Sequence, residues 1–275
     1  MNKAFVAFLL LLSFSVLAAE KNKKILQTHW QPEVYNDTLT KLPPNYKGTN
    51  SIKFWSTLKA KESLLDKKDL ETTEEYNNRI SNIGSAYLPL SKSDQYAFLI
   101  AEAKFDYDAD NEEYKLSNFD GLKCNRTLSS NDYMGCIVDT VTSKTTSYKG
   151  VNSYGLSLNI KKIRETNFGI AVNNSHPFIK SLGPNDYSIY SHNYNDTFKV
   201  GLSKAKLLKN EKLGLLIIGN ITEFKTTDGW PHIKEPVIDS PTDVYIDTDA
   251  VPFDPKKAVL YVIGTGEILG EKVFQ

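Results

Sequence analysis

Hydrophobic and polar positions divide the chain into three stretches of different character. Ala4–Leu12 is an unbroken apolar run, preceded by Lys3 and closed by small residues near Ala18 and Ala19. Residues 20–50 are polar and carry Pro43-Pro44, the pattern of an exposed lead-in. From Asn50 apolar residues return at helical spacing: Ile52, Trp55 and Leu58 share a face that Leu65 extends, and Tyr76, Ile80 and Ile83 repeat the pattern in a second helix. Pro89 and a serine-rich stretch close this helical segment, placed at 51–88.

From Gln95 the period shortens. QYAFLIAEAKFDY and EEYKLSNF flank the turn-like DADN. MGCIVDTVTS, SYGLSLNIKKI, NFGIAV, KLGLLIIGNITEF, TDVYIDT and KAVLYVIG follow as strand candidates, with GTGEILG as a tight turn into a last short strand. Short Gly, Asn and Asp breaks between them predict hairpins. The expected architecture is α+β: a small N-terminal helical part followed by a large, mostly antiparallel β-rich body over 95–275. Solenoid-period repeats and coiled-coil heptads are absent from the sequence.

The first nineteen residues read as a cleavable secretory signal peptide; their apolar run is shorter than the ~20 residues that span a bilayer. The expected location is therefore periplasmic or secreted, without stable membrane insertion after cleavage. Lysine plus arginine equals aspartate plus glutamate, 33 each in 275 residues, so the chain as a whole lacks the basic footprint of a nucleic-acid binder or a polybasic membrane-surface patch. Fifteen tyrosines suit half-buried strands, where the ring packs and the hydroxyl stays wet. The two cysteines, Cys124 and Cys136, read as a structural disulfide in an oxidising compartment; closing so short a loop is worth ~3 kcal/mol.

KKDLETTEEYNNRI, residues 67–80, is the densest run of chemistry-bearing side chains. Thr72 and Glu75 stand at capping-box spacing, Glu74 and Glu75 lie where a helix dipole favours negative charge, and Glu75 and Arg79 are spaced for an ion pair. Only Glu71 is left without a local role. Adjacent Glu74 and Glu75 diverge by ~100° on a helix and cannot converge on one bond. The segment DLETTEEYNNR resembles one found in exported bacterial proteins of unknown function, written (D/E)-F-E-T-x-x-E-(Y/F)-x-x-R. Glu71, Thr72, Glu75, Tyr76 and Arg79 match it, and Leu70 stands where the phenylalanine would be. The resemblance covers about a dozen residues; it implies export and a helix followed by β-structure, and carries no activity.

Other chemistries lack their signatures. Asp106, Asp108 and Asp110 alternate as in a calcium loop, but Asn111 and Ser117 occupy the positions that need glycine and a bidentate glutamate, so a hairpin turn explains the acids. Asp247, Asp249 and Asp254 read the same way. His29, His176, His192 and His232 show no metal-ligand spacing, and no nucleophile elbow or phosphate loop is present. No metal and no cofactor are expected. The favoured reading is a non-catalytic binding or interaction protein whose partner is an envelope protein, peptide or glycan, an inhibitor or immunity-type role included. Tyr187, Tyr190 and Tyr194 are its candidate contact residues. The alternative is an extracytoplasmic hydrolase using dispersed residues: Glu71 or Glu75 with His176, His192 or His232.

Overall fold

The structure, a computed structural model, describes residues 30–81, 89–100, 103–116, 124–126, 132–151, 154–180, 197–229 and 231–274. Residues 1–19, read as the signal peptide, lie outside the described residues. From Pro32 onward the chain makes one compact unit.

Helix α1 (Ser51–Leu65) starts where Asn50 accepts the Lys53 N–H at 2.9 Å, and α2 (Thr73–Ser81) follows after a short corner. The buried stripe of α1 is Phe54, Leu58 and Leu65, whereas Ile52 is 48% exposed, so the face expected from Ile52, Trp55 and Leu58 is shifted. Both stripes satisfy the 3.6-residue period. Phe54 decides between them because its ring meets Tyr96 and Phe98 at 5.2 Å and Phe168 at 5.7 Å.

Among the described residues twelve strands follow, with two short helices among them. They are β1 (Gln95–Leu99), β2 (Phe105–Asp108), β3 (Glu113–Leu116), β4 (Cys124–Arg126), β5 (Tyr133–Val151) and β6 (Ser157–Asn173). After α3 (Pro177–Lys180), β7 (Thr197–Lys199) and α4 (Leu202–Leu207) come β8 (Leu213–Ile221), β9 (Thr227–Asp228), β10 (His232–Lys234), β11 (Thr242–Val262) and β12 (Ile268–Val273). The large sheet runs β1-β8-β11-β6-β5-β4, with β9, β10 and β12 also on β11; β2-β3-β7 form a small second sheet. Strand makes up 50% of the structure and helix 16%, so the β-rich body is as expected and the α+β label fits loosely. Pairing is antiparallel except between β6 and β11, which run parallel over Thr242–Pro252 because several elements intervene between them.

TDVYIDT and KAVLYVIG, expected as two strands, are one. β11 pairs β6 up to Pro252 and β8 from Phe253, with a register shift between Pro255 and Lys257. Both prolines sit where the strand changes partner, a place that tolerates their missing N–H. SYGLSLNIKKI and NFGIAV likewise join in β6.

The described part of the lead-in, residues 30–50, keeps many exposed polar positions but is anchored, not a loose tail. Tyr35, Leu42, Tyr46 and Thr49 are buried. Tyr35 and Thr49 donate backbone bonds to Gln95 and Ala97, while Leu42 and Asn45 donate to Gly266 and Ile263. These residues cover the face of the sheet formed by Ala97, Leu216, Ile218, Val259 and Tyr261, and α1 covers the other with Phe54. That explains why Leu215–Ile218 is continuously apolar: a strand covered on both faces has no polar side. Gly266, at φ 74°, is fixed by the same contact, since a Cβ there would lie 1.9 Å from the Leu42 carbonyl oxygen. Cys124 and Cys136 stand opposite each other on β4 and β5 and are bonded.

Candidate functional site

The corner between α1 and α2 holds the glutamate-rich motif. Thr72 and Glu75 form the capping box: the Glu75 N–H donates to Thr72 Oγ1 at 3.2 Å, and Glu75 Oε2 accepts from the Thr72 N–H at 2.8 Å and its hydroxyl at 2.9 Å. Arg79 does not pair with Glu75, whose carboxylate is thus occupied. It binds Glu71 bidentately, at 2.7 and 2.9 Å, so the residue that the sequence left without a role is the arginine's partner. The same guanidinium donates to the Leu64 and Asp66 carbonyls, and Tyr76 donates its hydroxyl to Leu65 O. Arg79 and Tyr76 therefore satisfy acceptors that the end of α1 leaves open. Arg79, helped by the Lys68 N–H, lowers the Glu71 carboxyl to about 2.

The other sequence candidates are dispersed. His176 Nε2 lies 3.2 Å from Asp254 Oδ1 and its Nδ1 accepts the Phe178 N–H, while burial lowers its pKa. His232 belongs to β10. Glu71 and Glu75 make their polar contacts within the helix corner, so the described residues show no glutamate–histidine pair of the kind the hydrolase reading needs. His29, His192, Tyr187, Tyr190 and Tyr194 lie outside the described residues. Asp108 sits at the β2–β3 turn, where it accepts from Asn111 and Lys115 and its pKa is held well below the usual range. Among the described residues no three His, Cys, Asp or Glu side chains gather as a metal site would require.

Asp249 is not a turn acid. It is buried in β11, accepts the Trp55 indole N–H at 2.7 Å and pairs with Lys59 at 2.9 Å. Lys59 also reaches Glu62, which accepts the Thr226 hydroxyl. This fully partnered network ties α1 to the sheet.

An open groove of about 640 Å³ offers more chemical scope. That size falls within the ~300–1,000 Å³ of small-molecule sites. Its floor is the apolar face of the β2–β3 hairpin, where Phe105, Tyr107 and Tyr114 share one side by strand alternation. Tyr107 and Tyr114 stack with centroids 4.9 Å apart, and the Tyr107 hydroxyl donates to Val200 O at 2.8 Å, which fixes the ring. The facing wall is α4 and the turn after it. Leu202, Ala205 and Leu208 point inward at helical spacing, and Lys206, Lys209 and Lys212 recur every third residue along the rim. All three lysines are exposed and none enters an ion pair among the described residues. Lys104 and Glu211 complete the rim, which carries four positive charges to one negative. The groove is an aromatic slot with cationic edges: it can stack or bury an apolar body while lysines hold an anionic end.

The two walls of this groove lie about 100 residues apart in the chain, so no local spacing reveals it. A local sign of one wall was present in KAKLLKNEKL, 204–213, where Lys206, Lys209 and Lys212 recur beside the inward Ala205 and Leu208. No family model, no curated protein sequence and no solved structure matches the chain.

Proposed function

We propose that the chain is an exported, non-catalytic binding protein whose site is the lysine-rimmed groove, and that its ligand has an apolar or aromatic body and an anionic end. The observation that carries this reading is the row Lys206, Lys209 and Lys212, which enters no ion pair among the described residues, above the fixed Tyr107–Tyr114 floor. A short peptide ending in a carboxylate, or an acidic glycan fragment, has this chemistry. Export rests on the sequence of residues 1–19 and on the disulfide, which is compatible with an oxidising compartment. Likeness to exported proteins sharing the Glu71–Arg79 segment supports the same placement, and the segment's contacts explain it as a folding signal.

Titration calorimetry against N-acetylated aromatic amino acids and their amides tests the reading. The free acids should bind and the amides bind less, and Lys209→Glu with Lys212→Glu should abolish the difference. Equal affinity for acids and amides would overturn the anionic specificity. Multiple-turnover ester or glycoside hydrolysis by the purified protein, lost in Glu71→Gln, would replace binding by the hydrolase reading.

A further inference from the structure

The whole-chain charge balance conceals a local asymmetry. From Thr140 to Arg164, the sequence contains no aspartate or glutamate and five basic residues: Lys144, Lys149, Lys161, Lys162 and Arg164. The rest of the chain is correspondingly acidic. This segment is the outer part of the β5–β6 hairpin. The parallel partner β11 ends its pairing at Lys161, so Tyr148–Val151 and Ser157–Ile160 extend as a two-stranded ribbon with no third strand among the described residues. Such a ribbon is marginal in water on its own. Its end nevertheless exposes apolar side chains: Val151 is 68% exposed, Tyr154 89% and Leu156 59%.

The charges around it are only partly offset. Arg164 is held by Asp243 at 2.9 and 3.0 Å. Asp243 also stands opposite Lys162, Glu235 and Asp239 lie in the connection that leads to Pro241, whose carbonyl accepts the Lys161 N–H, and Glu165 and Asp247 lie at the root of the hairpin. Among the described residues Lys144, Lys149, Lys161 and Lys162 form no salt bridge. Register places Lys144 and Lys162 on one face of the ribbon, and Lys149 and Lys161 on the other. Lysines on both faces do not suit a partner that covers one face. They suit a surface met end-on, with the tip buried and a cationic collar around it.

We infer that the β5–β6 tip is a docking element for an anionic lipid surface. Val151, Tyr154 and Leu156 enter the headgroup–acyl boundary, at the ~5–10 Å depth of interfacial apolar residues. Lys149 lies two residues, ~7 Å, above the tip, at headgroup level, and Lys161 stands ~13 Å above it. Lys162 and Lys144 follow higher on the ribbon, where their attraction to the surface falls off over a Debye length. Tyrosine suits the boundary because its ring is apolar and its hydroxyl wet. The contact is peripheral: among the described residues no helix is long and apolar enough to cross a membrane.

Vesicle flotation of the purified protein tests this, with phosphatidylcholine vesicles against vesicles containing phosphatidylglycerol. Binding should require the anionic lipid and vanish in ~1 M salt, where the Debye length shrinks to ~3 Å. Lys149→Glu with Lys161→Glu should lower partitioning by at least about tenfold, at the usual contribution of a surface lysine. Tyr154→Ser with Leu156→Ser should lower it independently of salt, while the groove substitutions Lys209→Glu and Lys212→Glu leave it unchanged. Tyr154→Trp supplies a second readout, since its emission should shift to the blue only with anionic vesicles. Circular dichroism of each variant establishes that it is folded. Failure to float, equal flotation with neutral lipid, or tip variants that float like the parent would overturn the inference. So would stoichiometric capture of a protein partner that depends on the same residues without lipid.

Discussion

Glu71 and Asp249 are carboxylates whose partners come from different distances along the chain. Glu71 meets Arg79 eight residues on, and Asp249 meets Trp55 and Lys59 almost 200 residues away. The pH dependence of the first follows from its lowered pKa. Glu71 is ionised in the folded corner down to about 2, against ~4.3 for an unperturbed glutamate. Its contribution to stability is therefore complete above the unfolded value and lost as pH falls through the folded one. Amide protection factors of 64–81 should fall between pH 4 and 2, and Glu71→Gln should remove that acid dependence at the cost of lower protection at neutral pH. Asp249→Ala leaves the Trp55 N–H without its acceptor and Lys59 with Glu62 alone; with Lys59 partly open to water, the expected loss is about 1–3 kcal/mol by denaturant titration. The capping box was legible in the sequence because its parts are three residues apart. The Glu71–Arg79 pairing was not, because spacing offered Glu75 as well, and only the box's own demand on Glu75 releases the arginine.

At the scale of elements, the lead-in shows how composition misleads. Residues 32–50 are polar by count, yet Tyr35, Leu42 and Tyr46 occupy one face of the sheet, and Tyr261 donates its hydroxyl to Tyr46 O. Two substitutions separate a covering element from a loose tail. Leu42→Ala should cost about 2–5 kcal/mol in chemical unfolding, as for a core leucine. Tyr261→Phe should cost about 1–3 kcal/mol by leaving the Tyr46 carbonyl unpaired in the interior; an exposed tail would make both near neutral. The continuous apolar run Leu215–Ile218 was the available sign, since a strand with one wet face alternates. Likewise, the helical period identified α1 without its buried stripe. Two stripes were compatible, and aromatic packing from β1 and β6 selected Phe54 over Ile52.

Over the whole molecule, a long shared strand organises the architecture. β11 carries the parallel partner β6 along its first half and β8 along its second, with the short strands β9, β10 and β12 added to it. The disulfide acts at the far side, pinning β4 to the buried root of β5. Replacing both cysteines by serine should lower global stability by about 3 kcal/mol or somewhat less, the entropy of a short closed loop, without altering the far-ultraviolet signal of the folded state. An unchanged unfolding midpoint would show that the strand pairing alone holds this edge.

The sequence by itself determined the local features: the helices and their cap, the strand-rich body with its hairpins, and the Cys124–Cys136 pairing. Each depends on residues within a few positions or on a pair with no competitor. Tertiary structure decided what the lead-in covers, which stripe of α1 is buried, how β11 joins two predicted strands, and that Asp249 is an interior ligand of Trp55 and Lys59. It also decided the lysine-rimmed groove and the two-stranded basic end of the β5–β6 hairpin. Both depend on which side chains of distant or alternating positions share a face, and that is fixed by strand register and packing, not by spacing along the chain.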